Sequence, residues 1–174
     1  MPRLAAFRKK AARMRTHRPV FPSVTRPNAA AMCTGCFPGK SGLHAQTILF
    51  RSVDASGPVD CDPDVMWQLR DVEGQALLTP TLGGMLGRHG LSHWGTGSWT
   101  DGCAIMHHPP DADAVGATGC ALHVEFSNPP SANEKALARF GQWPSFGTPP
   151  YPSIEDFNAG TDNMAHALRL AREW

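Results

Sequence analysis

The first 53 residues contain no aspartate or glutamate. All fifteen acidic residues lie at or after Asp54, whereas ten of the sixteen Lys and Arg lie at or before Arg51. The opening segment therefore carries about +10 and the remaining 121 residues about −9, a split concealed by a net charge of +1. Such polarity points to an acidic partner, an acidic membrane face or an import machinery. Long apolar runs are also missing. Nothing approaches the roughly 18 consecutive apolar residues needed to span a bilayer, and the first twenty residues lack the apolar centre of a secretory signal, so neither a spanning helix nor Sec-type export is expected. Five cysteines, an odd number in a chain without such a signal, argue against a disulfide framework and for reduced thiols. That fits an intracellular setting, mitochondrial or otherwise cytoplasmic. Charged residues are scarce at 18%, which is lean for a freely soluble monomer and implies surface covered by a partner.

Glycine and proline, by contrast, are abundant: 17 and 16 of 174 residues. Short elements and many loops follow from that. The length suits one ordinary core, and we read residues 1–44 as a basic extension and 45–174 as a single acidic domain. Within the extension, Leu4, Phe7, Ala11 and Met14 recur at helical intervals among Arg3, Arg8, Lys9, Lys10, Arg13 and Arg15. A short cationic amphipathic helix is predicted there. Pro19, Pro22 and Pro27 then predict an extended tether through 'HRPVFPSVTRPN'. Three explanations of this arm stand open: a transit peptide, an arm that neutralises nucleic-acid phosphates, or a solvated tail or basic cover for the acidic body of the same protein.

In the body, 'AQTILFRSV' (45–53) has strand composition. Residues 62–80 read two ways. Asp62 before Pro63 is a good helix start, yet Val65, Trp67 and Leu69 alternate and 'DVEG' supplies a turn, which predicts a hairpin pairing 65–70 with 75–79. A glycine-rich irregular loop (81–102) should be followed by antiparallel strands at 102–107 and 118–126. Two helices close the chain. The first runs from a Ser131/Glu134 capping box to Gly141, and the second occupies 161–174. The class expected is α+β, a small antiparallel sheet with two C-terminal helices and a largely extended basic arm.

Histidine supplies the candidate chemistry. His89 and His93 are four residues apart, and His123 and Glu125 would share a strand face opposite Cys120, Leu122, Val124 and Phe126. Folded together, these four could hold a catalytic zinc and act as a hydrolase site. 'SHWGTGSWTD' (92–101) resembles the first His/Asp motif of the D-Ala-D-Ala peptidase group and 'HVEF' its second, which would imply a zinc hydrolase. Here, however, His93 and Asp101 stand one residue too far apart. 'GCALHVEFSN' is similar to the central strand of peptidoglycan amidases, without their downstream ligand segment. Cys33 and Cys36 have the spacing of half a zinc knuckle, which His44 and Cys61 could complete as a structural staple. 'GCFPGKSG' (35–42) is not a phosphate-binding loop, because its glycine spacing is one short and Pro38 removes an N–H.

With no motif complete, the reading favoured by sequence is a non-catalytic accessory subunit of a larger, RNA-containing assembly, docked on other protein subunits. Arg3, Arg8, Lys9, Lys10, Arg13, Arg15 and Arg18 would contact RNA or an acidic partner. The alternatives are the zinc-dependent hydrolase and a small nucleic-acid-binding regulator.

Overall fold

The computed structural model describes residues 2–97, 101–110, 118–123 and 126–142. Its elements run α1 (Pro2–Lys10), α2 (Thr25–Thr34), α3 (Pro38–Ser41), β1 (Thr47–Ile48), β2 (Val59–Asp60), α4 (Pro63–Glu73) and α5 (Leu82–Gly87). After these come β3 (Ser92–Thr96), α6 (Asp101–Ala104), a 3₁₀ turn (Ile105–His107), β4 (Thr118–Leu122), β5 (Ser127–Asn128) and α7 (Ser131–Phe140). The α+β class is as the composition suggests. The sheets differ from the expectation: β1 and β2 form a two-residue antiparallel ladder, whereas the second sheet has the order β3-β4-β5, with β3 parallel to β4 and β4 antiparallel to β5. Among the described residues no helix is long and apolar enough to cross a membrane.

The predicted hairpin at 65–79 is instead the helix α4. Asp62 caps it, its side chain accepting from the Val65 N–H at 3.0 Å, and Pro63 occupies the first turn. Gly74 ends it at φ 80, where its N–H donates to the Arg70 carbonyl. Helical coiling turns Val65, Met66 and Leu69 into the core together. A strand would have sent Val65 and Met66 to opposite faces, and that difference in burial outweighs the alternation of Val65, Trp67 and Leu69.

The same logic corrects the strand expected at 102–107. Ala104, Ile105 and Met106 are all buried, and three consecutive residues reach one core from a helical turn, not from a strand. Only Thr47 and Ile48 of segment 45–53 are in a strand. The glycine-rich stretch after residue 80 is more ordered than expected. Thr81 caps α5, its hydroxyl accepting from the Gly84 N–H at 3.3 Å, and β3 follows at once.

The tether expected through 'HRPVFPSVTRPN' becomes helical at Thr25, with Arg26, Pro27 and Ala30 buried. Ala30 and Leu43, which precede the boundary drawn at residue 45, share one apolar cluster with Met66, Leu69, Ile105 and Met106. A smaller cluster joins Cys120 and Leu122 of β4 to Ala132 and Ala136 of α7. α7 ends at Gly141 as predicted, but its start is not a capping box. The Asn133 N–H donates to the Ser127 hydroxyl at 3.0 Å, and Ser127 in turn donates to the carbonyls of Pro129 and Pro130. The second helix, at 161–174, lies outside the described residues.

Candidate active site

A cleft of about 440 Å³ opens between α2, α5, β3 and the turn at 105–107, lined by Thr25, Ala29 and Cys33 from one side and Gly83, His93 and His107 from the other. Helical geometry explains the first wall. Thr25, Ala29 and Cys33 stand four apart and form one row along α2. Thr25 is exposed in the first turn and carries the one hydroxyl lining the cleft among the described residues. Helix starts leave N–H groups without intrahelical acceptors and bear a partial positive charge, so a phosphate near Thr25 would meet a favourable field.

Opposite it, His93 and His107 stack with ring centroids 5.7 Å apart, and Nε2 of His93 lies 3.5 Å from Nδ1 of His107, at the outer limit of hydrogen bonding. Desolvation lowers the pKa of both imidazoles. The nearby His108 adds to the effect at His93, as His93 does at His107. Both rings are therefore neutral bases at neutral pH. Two glycines make room for the pair: a Cβ at Gly95 would fall 2.3 Å from Cβ of His107, and one at Gly83 would fall 2.7 Å from the His107 carbonyl oxygen.

Behind Thr25, the neighbouring Arg26 points inward. Its Nη2 meets Oδ1 of Asp101 at 3.2 Å, and its backbone N–H donates to Oε1 of Gln46 at 3.2 Å. The same Asp101 oxygen accepts the Gly102 N–H at 2.6 Å. A Cβ on Gly102 would collide with the guanidinium carbon at 2.1 Å, so the glycine is what lets α6 close over Arg26. The start of α2 is thus held at two points, and Thr25 with it.

The residues singled out from sequence are scattered by comparison. His93 is in the cleft, whereas His89 is exposed on the turn before β3. His123 is fully buried, stacked on Phe126 at 5.5 Å, and burial lowers its pKa. Strand β4 is buried on both faces, with Cys120, Ala121 and Leu122 all covered, so His123 does not lie on an open face of it. Glu125 lies outside the described residues. Cys33 lines the cleft, and Cys61 sits in the apolar core. Burial pushes both thiols up to about 11. His44 is exposed and bonds through Nδ1 to the Gly42 carbonyl. Among the described residues no three His, Cys, Asp or Glu side chains come together, so neither the Cys33/Cys36/His44/Cys61 set nor the histidine set assembles there as a metal centre. Arg8, Lys9, Lys10, Arg13, Arg15 and Arg18 are exposed, and nothing is described of the Arg3 side chain.

Sequence reasoning passed over Thr25 and Asn28 as site residues, and it placed His107 at the end of a strand near His123 and not against His93. The available signal was a hydroxyl and an amide flanking a proline in 'TRPN', read there as a tether.

Comparison with curated proteins and with solved structures returns no match. Residues 1–103 match a family model described as type I phosphodiesterase / nucleotide pyrophosphatase. This overturns the accessory-subunit reading, along with its RNA-binding and mitochondrial attributes, and favours the hydrolase alternative. Most of the cleft lining, from Thr25 to Cys103, falls inside the matched segment, which spans more than half of the sequence. The chain belongs to the type I phosphodiesterase / nucleotide pyrophosphatase family.

Proposed function

We propose that this chain contributes the nucleophile-bearing part of a phosphodiester hydrolase, with Thr25 as the attacking group. The observation that carries the reading is that the cleft's hydroxyl, on the first turn of α2, lines the same cleft as the neutral His93/His107 pair, within the family-matched segment. An unassisted threonine hydroxyl is a weak nucleophile and needs a base to take its proton. A neutral imidazole is a suitable acceptor at neutral pH. Oγ1 of Thr25 would attack phosphorus and the P–O bond to one ester group would break, that alcohol leaving with a proton. Water would then cleave the phosphothreonine to release a phosphomonoester. Positive charge at the helix start would stabilise the phosphoryl oxygens throughout. Cys33 is a poor rival nucleophile, because its raised pKa keeps it as a thiol.

Members of this family are typically zinc-dependent. The described residues supply two adjacent imidazoles but no group of three His, Cys, Asp or Glu side chains placed to hold an ion, so they do not complete a zinc site and no step is assigned to a metal.

The test is hydrolysis of bis(4-nitrophenyl) phosphate by the full chain. Thr25→Ala should lower the rate at least a hundredfold and Thr25→Ser should retain part of it, with a phosphorylated peptide containing Thr25 trapped by acid quench. Wild-type activity in Thr25→Ala would overturn the assignment.

A further inference from the structure

Two cysteines, Cys33 and Cys103, line the candidate active-site cleft. They come from different elements. Cys33 ends the α2 row that begins with Thr25, and Cys103 belongs to α6. Both are partly exposed, whereas Cys61 and Cys120 are buried, and Cys36 lines a different cavity. The hydrolytic reading above gives neither thiol a part in the chemistry.

Several observations bring the two sulfurs towards each other. Cys103 lies against the first turn of α2, its Sγ 4.0 Å from the Thr25 carbonyl oxygen. It is held there from two residues away, where Asp101 pairs with Arg26 and ties α6 to the start of α2. Side chains on a helix lean towards its N-terminus, so Cys33 leans towards the end of α2 at which Cys103 sits. Charge on Cys103 accordingly adds to the rise in the Cys33 pKa, after the larger effect of burial, as a group close by does. Two thiols on separate, mutually anchored elements thus share the cleft that contains Thr25.

We infer that Cys33 and Cys103 form a redox modification site, at which a low-molecular-weight disulfide such as that of glutathione joins α2 to α6 and closes the cleft beside Thr25. The effect on hydrolysis rests on the reading of Thr25 as nucleophile; the disulfide itself does not. The Cys103 thiolate attacks one sulfur of glutathione disulfide, breaking its S–S bond, forming a mixed disulfide and releasing one glutathione thiol. Cys33, as thiolate, then attacks the Cys103 sulfur, and the second glutathione leaves as a thiol. Two protein thiols are oxidised, one glutathione disulfide is reduced, and the two protons end on the two glutathione thiols. The raised pKa of Cys33 slows the second step, but that step is intramolecular and needs no further encounter. An S–S bond of about 2 Å draws together two walls of the cleft and narrows the approach to Thr25.

The experiment is incubation of the full chain with glutathione disulfide, an alkylating quench and a non-reducing peptide map, with hydrolysis of bis(4-nitrophenyl) phosphate read in parallel. The map should contain peptides joined through Cys33 and Cys103. Hydrolysis should fall about tenfold or more as that species accumulates, and should return on adding dithiothreitol. Cys33→Ser should stop at the glutathione adduct of Cys103, Cys103→Ser should form no joined pair, and Cys36→Ser should oxidise as the wild type does. Each variant is compared with its own reduced form, and the wild-type map decides the question even where a variant fails to fold. A wild-type map in which Cys103 carries only glutathione, or is joined to Cys36, overturns the site. Undiminished hydrolysis by protein whose Cys33 and Cys103 are joined overturns the closure. The map is read without turnover, so the two readings fail separately. A joined pair in a protein that hydrolyses no diester keeps the dithiol site and loses Thr25 as nucleophile, and an active protein whose two thiols never join does the reverse.

Discussion

Arg26 and Asp101 lie 75 positions apart in sequence and meet at 3.2 Å, joining the start of α2 to α6. The arginine is 5% exposed, and among the described residues neither its Nε nor its Nη1 has a hydrogen-bond partner, so Asp101 is its main compensation for burial. Removing the partly exposed Asp101 leaves the buried guanidinium without a counterion. Asp101→Asn should therefore destabilise the protein by about 3 to 5 kcal/mol, while the double change Arg26→Met/Asp101→Asn should recover much of the loss. Thermal or urea denaturation of the three variants checks this. A double variant no better than Asp101→Asn would show that the guanidinium is not the group left uncompensated.

His93, His107 and His123 each have a lowered pKa, mainly through burial. The unfolded chain, with its histidines near 6.5, takes up protons before the folded one does. Stability contributed by keeping these rings neutral is fully present above about pH 6.5 and is lost as pH falls from there through the lower folded values. Urea midpoints should fall between pH 7.5 and pH 5, and His107→Gln should make that fall shallower. A midpoint flat across the interval contradicts the burial of the rings.

Cys33, Cys61 and Cys120 are pushed up to about 11 by burial. At pH 7.5 a thiol-specific disulfide reagent should label Cys36 and Cys103 first and the other three slowly, with all five reacting in urea. The same shifts lower stability above pH 9, where the unfolded thiols ionise before the folded ones. Rapid labelling of Cys61 in the native protein would be the contrary result.

Gly95→Ala forces a methyl to within 2.3 Å of the His107 side chain and must displace the His93/His107 pair. A stability loss of about 1 to 3 kcal/mol and a larger fractional loss of diester hydrolysis are expected. Gly74→Ala is the comparison. It meets no neighbour, and its cost of about 1 kcal/mol comes only from φ 80, with activity kept. Equal activity in the two variants would separate the histidine pair from the chemistry.

What the sequence alone determined is local or compositional. The charge split, the α+β class and several helix boundaries belong here, because a cap such as Asp62 or a stop such as Gly74 or Gly141 acts on backbone groups within a few residues. Segment 63–73 shows where that ends. Its local signals allowed both a hairpin and a helix, and only the core formed by Ala30, Leu43 and Ile105 rewards placing Val65, Met66 and Leu69 on one side. The parallel pairing of β3 with β4 is equally non-local, since register between distant segments leaves no mark on either. The candidate site was the least legible part. His93 could be named from its spacing to His89, but its partner proved to be His107, brought into contact by a turn that sequence read as a strand and by glycines at 83 and 95 that read as loop. The role proposed for Thr25 rests on Gln46 and the buried Arg26, which hold the start of α2, and burial of that kind depends on every other segment that covers it.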